Sequence, residues 1–455
     1  MSILCVRKQM SNKVVSTSKC HLKHLNRNEY REMRKAFHEG KHLKTLAKQL
    51  FESYLETHKN HKLRKYDFVK YVLEYAKYDQ WKDQYRTLQR RPIEDIIKQV
   101  FDDWMNYFKA LKSYRKDSSA FTGKPKPPAK YKSLYPRIQF TKHSITINRD
   151  NHTIDVKITR NLALTIHVPH DVDIDDIKSV FIGYNGVNFT AYFTKQQEAI
   201  DIQCDKNRWI AVDPGVKNLF ACVTYDNQAF LFKGSKLIQL VEERNSRVSK
   251  LLSRNGGVES RRVKDLRFKY SNKINNELHL LVNSFIELLK QKRIGLVILG
   301  KNKYIKRGVN LGKNNNRKFS QLPIFKIYEL IELKCKLLGI KVEYQEEAYT
   351  SKADALSDEP IESAETRSGK RLFRGLFQSA RGVLINADIN GALNIARKYL
   401  GKRAPMFISE SLKYLKNLFN PITILWHAYE PGCLKVSRPT YQHARNINLN
   451  WSVLS

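Results

Sequence analysis

Acidic residues at the ends of apolar segments could together hold divalent metal ions. An apolar run ends at Asp213, where a Pro-Gly turn reverses the chain into a second apolar run. Much later, Asp388 opens a segment whose apolar residues recur at helical spacing. Each aspartate alone is typical of a turn or a helix start, but two-metal hydrolysis of a phosphodiester needs carboxylates that converge from separate segments.

A third carboxylate is required, because two aspartates are too few to hold a pair of ions about 4 Å apart. The strand predicted between them ends in a segment that contains Glu343, Glu346 and Glu347. Side chains alternate across a strand, so Glu343 and Glu347 would share a face while Glu346 points away. Glu347 is nearer the strand's end, where we expect the site to open. Such hard oxygen ligands suit Mg²⁺ or Mn²⁺.

Charge narrows the class of partner. The 455 residues include 82 Lys and Arg against 44 Asp and Glu, which gives a net charge of +38 spread along the chain. Such a field is costly by self-repulsion and favours a polyanionic partner. The 23 tyrosines and 21 phenylalanines suit stacking on bases. Nucleic acid is therefore the expected partner.

Cysteine spacing bears on the compartment and on zinc. The six cysteines contain no C-x-x-C pair, which argues against a zinc ribbon and against a secreted disulfide scaffold. No apolar stretch approaches the length of a membrane span, and the N-terminus lacks a signal-peptide core. We expect an intracellular protein with no membrane association and no structural zinc.

The pattern of elements changes twice along the chain. Helical periodicity dominates from about residue 28 to 113, with Pro92 suited to a first helical turn. The aromatic residues at helical spacing in this region are predicted to be core residues. A proline-rich break at 123–132 precedes short alternating strands up to about Thr194. After Trp209 the pattern predicts an α/β unit with a hairpin at Asp213 and a helical pair from Ser235 to Gln291.

Three motifs in order carry a family resemblance. They are Asp213-Pro-Gly-Val-Lys-Asn218, Glu347-Ala-Tyr-Thr-Ser-Lys352 and Asn386-Ala-Asp-Ile-Asn-Gly-Ala392. This ordered set resembles the split RuvC nuclease of TnpB proteins, the transposon-encoded RNA-guided DNA endonucleases related to Fanzor proteins and type V CRISPR effectors. The likeness covers about residues 85 to 400 and also includes Gly123-Lys-Pro-Lys126 and Leu278-His279.

The resemblance implies a multidomain α+β protein with a helical recognition lobe, an OB-like β-barrel wedge domain and an RNase H-like (RuvC) α/β nuclease domain. The corresponding boundaries are an N-terminal segment, 1–25, contributing the first wedge strand; the recognition lobe, 26–120; the wedge, 121–207; the split nuclease, 208–400, with a basic insert at about 353–385; and a poorly ordered basic tail, 401–455. The implied partners are a guide RNA and target DNA, bound by a monomeric ribonucleoprotein in the cytoplasm, at the nucleoid of a bacterial or phage host. Base pairing would supply the sequence specificity.

The sequence departs from the family pattern in two places. The buried strand that carries the second nuclease glutamate in many members ends here as Ile298-Leu-Gly-Lys301, without a carboxylate. Some relatives place this acid three residues before Thr-Ser-Lys, which is Glu347. Residues 353–385 also lack the four-cysteine zinc ribbon and contain a candidate basic hairpin at 367–377, where Phe373 or Phe377 could guide single-stranded DNA.

The resulting hypothesis assigns every site residue. Asp213, Glu347 and Asp388 are predicted to be catalytic and to hold two Mg²⁺ or Mn²⁺ ions, with no zinc. A basic run from Lys301 to Ser320 is expected to contact the guide–target duplex. The candidate nucleic-acid contacts are Lys124, Lys126, Lys130, Lys217, Lys303, Lys306, Arg307, Lys313, Arg317, Lys352, Arg371 and Arg374.

Other functions stay open at this stage. If the second nuclease block has lost its acid, the protein would be a catalytically inactive RNA-guided DNA-binding regulator. A transposase or transposition accessory protein is less favoured, because the chain shows no separate site-specific DNA-binding module. A stand-alone CRISPR effector would be unusually short.

Overall fold

The computed structural model describes residues 13–57, 63–77, 87–118, 121, 123–128, 135–200, 202–301, 322–357, 359–373, 375–401, 418 and 420–437. The chain divides into two compact units, Met1–Glu198 and Ala199–Ser455. The chain therefore has a multidomain α+β fold, and each unit is described by itself.

In its described residues, the first unit combines three helices with two small antiparallel sheets. The helices are α1 (Arg27–Thr57), α2 (Lys65–Ala76) and α3 (Arg90–Lys116). The strands are β1 (Lys13–His21), β2 (Ile138–Thr141), β3 (Ile145–Asn148), β4 (Thr153–Lys157), β5 (Ala163–His167), β6 (Ile177–Tyr184) and β7 (Phe189–Glu198). They pair in the orders β1-β7-β6-β2 and β3-β4-β5. One hydrophobic core joins the helices to both sheets.

Local sequence explains where the long helices begin. The backbone N–H of Glu29 donates to Asn26 Oδ1 (2.9 Å), and the N–H of Asn26 donates to a Glu29 carboxylate oxygen (2.8 Å), so α1 opens with a reciprocal capping box. Pro92 lies in the first turn of α3, as predicted, where its missing N–H is harmless.

The buried face of α2 is narrower than the sequence analysis predicts. Phe68 and Val72 are fully buried, but Tyr66, Tyr71 and Tyr75 are substantially exposed. The prediction that all these aromatics are core residues is therefore wrong for the three tyrosines, because a short helix packed on one side buries only one stripe of its surface.

The second unit is built on a seven-stranded sheet. Its elements are β8 (Asp205–Pro214), β9 (Asn218–Thr224), β10 (Ala229–Lys233), α4 (Ser235–Arg254), α5 (Arg261–Gln291), β11 (Ile294–Lys301), α6 (Ile324–Leu337), β12 (Lys341–Glu346), β13 (Lys370–Phe373), β14 (Leu376–Gln378), β15 (Leu384–Asn386), α7 (Ala387–Leu400), β16 (Ile422–Ile424) and β17 (Val436–Ser437). The order in the large sheet is β12-β11-β8-β9-β10-β16-β17, and β13-β14-β15 form a separate small sheet.

The centre of the large sheet is buried on both faces, as strand β9 shows. All seven residues of β9 are buried. Phe220 and Cys222 face a core that includes residues of α4, α5 and α6, whereas Ala221 and Val223 face a core that includes residues of α7. Alternate residues of one strand thus serve two cores. The helical pair and the hairpin at Asp213 that the sequence predicts are both present.

Part of the predicted tail belongs to the sheet. Residues 420–437, expected to be poorly ordered, include β16, which pairs in parallel with β10 through Phe230–Ile422 and Phe232–Ile424. Trp426 is buried in the core beneath that sheet, and its indole N–H donates to the carbonyl of Lys233 at 2.8 Å. The expectation of a disordered tail is wrong for this segment, because a three-residue strand carries almost no periodic signal.

No helix in the described ranges is long and apolar enough to cross a lipid bilayer.

Substitution of the buried Trp426 tests how much the segment 420–437 contributes to the stability of the fold. We expect Trp426→Ala to lower the free energy of unfolding by about 3–5 kcal/mol, the usual cost of deleting a buried large aromatic side chain. Trp426→Phe keeps most of the apolar contact and loses the bond to Lys233, so it should cost about 1 kcal/mol. Denaturant unfolding measures both values. Unchanged stability in Trp426→Ala would contradict the packing of this segment.

Candidate functional site

Asp213 lies at the open end of the central strand. It is the next-to-last residue of β8 and pairs with Ala221 of β9. Pro214 and Gly215 then turn the chain, and the N–H of Gly215 donates to the carbonyl of Leu219 at 3.3 Å. A β-carbon at Gly215 would lie 2.7 Å from the carbonyl oxygen of Asn218, so the turn is tight enough to require glycine. The turn fixes the direction of Asp213.

Asp388 lies in the first turn of α7. The Asn386 side chain caps the helix by accepting from the N–H groups of Asp388 (3.0 Å) and Ile389 (3.3 Å). The Asn218 amide donates to Asp388 Oδ2 at 2.7 Å and so joins the start of β9 to the start of α7. Asp388 is thereby held from both the helix and the sheet.

The helix that carries Asp388 also touches Asp213. A β-carbon at Gly391 would lie 2.4 Å from Asp213 Oδ2, a distance that real side chains do not tolerate. Gly391 is three residues after Asp388 and therefore on a neighbouring part of the same helix face. Only glycine leaves room for the Asp213 carboxylate against α7.

Glu347 is the first residue after β12. That strand ends at Glu346, so the alternation argument does not extend to Glu347, and position alone brings it to the site. A β-carbon at Gly300 of β11 would lie 2.6 Å from Glu347 Oε1, which shows that the Glu347 side chain lies across the neighbouring strand end. By contrast, Glu346 is exposed and Glu343 pairs with Lys341 at 2.8 Å.

The charges of the two other acids act on Asp213. Desolvation raises the pKa of Asp213 well above its usual range, and the nearby charges of Glu347 and Asp388 raise it further. Burial raises the pKa of Glu347 to about 7. One Glu347 oxygen, Oε1, is buried without a hydrogen-bond partner. A site that crowds like charges and leaves a carboxylate oxygen unsatisfied is costly unless something positive joins it.

Within the part of the chain that the structure describes, one basic side chain reaches this acidic site. Arg371, on β13 of the predicted basic hairpin, places a guanidinium nitrogen 3.7 Å from Asp388 Oδ1 and lowers the pKa of Asp213. The hairpin forms as predicted, with Arg371 opposite Phe377. Phe373 is 65% exposed, but Phe377 is buried in the core beside α7. The idea that Phe377 could stack on DNA is therefore wrong, because a strand flanking the core turns alternate side chains inward.

Some of the remaining candidate nucleic-acid contacts lie within the residues that the structure describes, and others do not. Lys124, Lys126, Lys217 and Lys352 are exposed on their respective units. Lys130, Lys303, Lys306, Arg307, Lys313, Arg317 and Arg374 lie outside the described residues, as does nearly all of the basic run from Lys301 to Ser320.

Two supports of the site were not predicted from the sequence. They are the bond from the Asn218 amide to Asp388 and the helix cap formed by Asn386. The cap had a local signal, since an asparagine two residues before a helical aspartate is a typical helix start. The Asn218–Asp388 bond had none, because its partners are 170 residues apart. Across the described residues, no group of three or more His, Cys, Asp or Glu side chains is arranged to hold a metal ion as it stands.

Comparisons with known proteins point to one group. A family model described as OrfB_IS605, probable transposase, matches residues 193–306, and one described as Cas12f1-like, TNB domain, matches residues 325–395. The CRISPR-associated endodeoxyribonuclease Cas12f2 of Micrarchaeota archaeon (strain CG1_02_47_40) is 29% identical over 203 residues, covering 42% of this chain and 37% of the relative. The TnpB-like protein ORF457 of Acidianus two-tailed virus is 25% identical over 255 residues, covering 53% and 51%.

A solved structure shares the fold. A chain of the Cas12f1-sgRNA-target DNA complex, determined by cryo-EM, superposes with a TM-score of 0.50 and 12% identity, covering 85% of this chain and 99% of that chain. At this identity the likeness shows the fold alone. The present chain spans between about a third and a half of the length of the curated relatives it matches.

The contact between Gly391 and Asp213 can be tested through stability. Glycine to alanine inside a helix usually stabilises by about 1 kcal/mol. Because the new methyl group would collide with the Asp213 carboxylate, we expect Gly391→Ala to destabilise the wild-type chain. In an Asp213→Ala background the collision is removed, and the same change should stabilise by about 1 kcal/mol. Denaturant unfolding of the four proteins measures the reversal of sign.

Gly375 supplies the matched control, since a β-carbon there would meet nothing within 4 Å. Gly375→Ala should change stability by less than about 0.5 kcal/mol in either background. Equal effects of Gly391→Ala in the two backgrounds would contradict the contact.

The raised pKa of Glu347 predicts how stability depends on pH. Its usual value is 4.5 and its folded value about 7, so the folded state binds a proton that the unfolded state has lost. Stability from this group is therefore full below pH 4.5 and falls as pH rises to 7, by roughly 2–3 kcal/mol. With divalent metal chelated, Glu347→Gln should flatten this fall, whereas Glu346→Gln should keep it. Parallel pH–stability curves for wild type and Glu347→Gln would contradict the assignment.

Proposed function

We propose that the chain is a TnpB-type RNA-guided nuclease, the group to which both family models and both relatives point, and that it is a metal-dependent DNA endonuclease that cuts DNA paired to a bound guide RNA. The observation that carries the proposal is the convergence of Asp213, Glu347 and Asp388. They come from three separate segments of the chain. The two charges that raise the pKa of Asp213 are those of Glu347 and Asp388.

The residues present fit a divalent metal. Three carboxylates are the hard oxygen donors that Mg²⁺ and Mn²⁺ prefer. The buried Glu347 Oε1 has no hydrogen-bond partner, and burial raises the pKa of Asp213 and of Glu347, so a bound cation would offset the cost of their ionised forms. Asp213, Glu347 and Asp388 would hold the ions. Bound there, a pair of ions would supply an activated water and stabilise the leaving oxygen.

Other residues of the chain prepare the site for a phosphodiester. Asn218 and Asn386 orient Asp388 through the side chain and through the helix start. Arg371 presents a fixed positive charge beside the acids, where it would attract a phosphate of the bound strand. Lys217 and Lys352 follow Asp213 and Glu347 by four and five residues and are exposed, so they can contact the backbone on either side.

The partners and domains follow from charge and family. A net charge of +38 favours a structured guide RNA and its target DNA, with Lys124 and Lys126 among the contacts of the first unit. We assign the recognition lobe and wedge to the first unit and an RNase H-like RuvC domain to the second. The order β10-β9-β8-β11-β12, in which hairpin-linked strands continue into parallel ones, supports the latter assignment. A transposon origin, a monomeric ribonucleoprotein and a cytoplasmic location complete the proposal.

A pair of neighbouring glutamates provides the decisive test. The protein, purified with its guide RNA, is given a matching DNA target and Mg²⁺. We expect Glu347→Ala to reduce cleavage by at least 100-fold, because the site loses one of three carboxylates, while RNA-directed DNA binding stays within about twofold. Glu346→Ala, one residue away and exposed, should cleave at the wild-type rate. Gel analysis of cut target and a filter-binding assay measure the two properties.

Each alternative gives a different result. Wild-type protein that binds the RNA-matched target without cutting it under any divalent ion would instead be a guided DNA-binding regulator. Cleavage by Glu347→Ala at near the wild-type rate would show that the assigned glutamate is wrong.

A further inference from the structure

A buried aspartate outside the acidic site joins the segments that carry it. Asp354 is fully buried. Its Oδ1 accepts from the N–H of Leu356 (3.0 Å), and its Oδ2 accepts from the Ser379 hydroxyl (2.7 Å) and the N–H of Ala380 (2.8 Å). Burying a carboxylate costs several kcal/mol unless donors compensate it. Three hydrogen bonds from neutral donors compensate this buried carboxylate. Such compensation indicates that Asp354 has a structural role.

The partners of Asp354 lie on two separate loops. One loop follows Glu347 and includes Leu356. The other is the turn between β14 and β15, closed by bonds from Ser379 N–H to the carbonyl of Val383 (2.8 Å) and from Gly382 N–H to that of Ser379 (2.9 Å). The strand after this turn runs directly into Asn386 and Asp388. Asp354 therefore bonds the segment behind one acid to the segment behind another.

The helix of Asp388 holds the same loop along its side. Asn390 accepts from the N–H of Ala355 (2.9 Å) and donates to the carbonyl of Ala353 (2.8 Å). Asn394 donates to the carbonyls of Thr350 (2.9 Å) and Ala353 (2.7 Å). Both asparagines are fully buried. Their spacing of four residues places them on one face of α7, so that face is bonded to the loop that begins at Glu347.

A third residue lies on the same face of α7, about one turn further along the helix. Arg397 donates to the carbonyls of Asp354 (3.1 Å) and Glu359 (3.1 Å). The basic hairpin is tied to the same centre, because a β-carbon at Gly369 would lie 3.0 Å from Asp354 Cβ. The loop after Glu347, the helix of Asp388 and the hairpin of Arg371 thus meet around one buried carboxylate.

We propose that Asp354 is a positioning residue of the nuclease site: its carboxylate joins the loop after Glu347 to the turn before Asp388 and so fixes the separation of the acids and Arg371. The inference rests on the proposed function. The hydrogen-bonded carboxylate of Asp354 holds two loops together from one buried position. A structural zinc ion would have the same role in an insert of this size. A rigid supporting shell matters because small displacements of catalytic groups cost large factors in rate.

The replacement that tests this with least change of shape is Asp354→Asn. An asparagine has one acceptor oxygen where the aspartate has two, so its NH₂ group would face the backbone N–H of either Ala380 or Leu356, donor against donor. Either the turn before β15 or the loop after Glu347 would then be released while the core stays filled. Ser379→Ala is a milder second variant that removes only the hydroxyl donor.

Asp226→Asn is the matched control within the same unit. Asp226 lies in the turn between β9 and β10, at the end of the sheet opposite Asp213, and accepts from Lys292 Nζ at 2.8 Å. Its replacement also breaks a polar contact of a partly buried aspartate, but that contact is remote from the acids. Any general effect of neutralising a hydrogen-bonded aspartate in this unit should appear in this variant too.

The experiment compares the single-turnover cleavage rate, target-DNA affinity and hydrogen exchange of the guide-RNA complexes. We expect Asp354→Asn to cut at least tenfold more slowly with target affinity within twofold of wild type, and to exchange faster in residues 350–357 or 376–386. Ser379→Ala should cut about threefold more slowly, and the double variant should be no slower than Asp354→Asn, because both changes break one network. Asp226→Asn should cut within twofold of wild type.

Two outcomes overturn the inference. One is cleavage by Asp354→Asn within twofold of wild type; the other is a loss of cleavage matched by an equal loss of target binding, which a merely structural role would give. Failure of the proposed function is distinguishable, since the wild-type complex would then not cut at all. In that case unchanged exchange in both residues 350–357 and residues 376–386 of Asp354→Asn still overturns the positional role, and faster exchange in either segment supports it.

Discussion

Mutual repulsion between three carboxylates is the constraint around which the second unit is organised. Asp213, Glu347 and Asp388 would separate if their segments were free, because like charges in a partly desolvated site disfavour one another. Close packing around the carboxylates prevents this separation. Gly391 lets α7 approach the Asp213 carboxylate, and Gly300 does the same for Glu347. A site that is unfavourable in isolation is thereby maintained by the packing of its scaffold, as expected where function opposes stability.

Polar contacts fix the arrangement of the distant segments that make up this scaffold. Asn218 joins the first and last acidic segments directly, and Asp354, Asn390 and Asn394 join the middle segment to the last. These residues are buried or nearly so, and bonds of this kind are directional, so they specify one arrangement of loops that hydrophobic contact alone would leave loose. The basic hairpin at Arg371 is placed by the same contacts. Charge recognition, in contrast, needs only exposed lysines distributed over both units.

The sequence was informative wherever a local pattern decides the structure. Asp213 at a strand end, Asp388 at a helix start, the helical pair and the basic hairpin all follow from periodicity, turn residues and caps. Glu347 is an intermediate case: alternation did not reach it because β12 stops at Glu346, and its place at the strand's end together with the family's relocated acid singled it out. The burial of Phe377, the pairing of β16 with β10 and the network of Asp354 depend on partners many residues away. No local signal marks such positions, because a loop aspartate and a three-residue strand look the same whether exposed or buried.

The central claim is that the three acids form a metal site, and divalent-ion binding to the RNA-free protein tests it most directly. In a buffer of high ionic strength, titration of Mn²⁺ is followed by calorimetry and by the unfolding temperature of the wild type and of an Asp213→Asn variant. The account predicts saturable binding that raises the unfolding temperature of the wild type and is lost in Asp213→Asn. Equal binding by both proteins, or no saturable binding by the wild type, would contradict it.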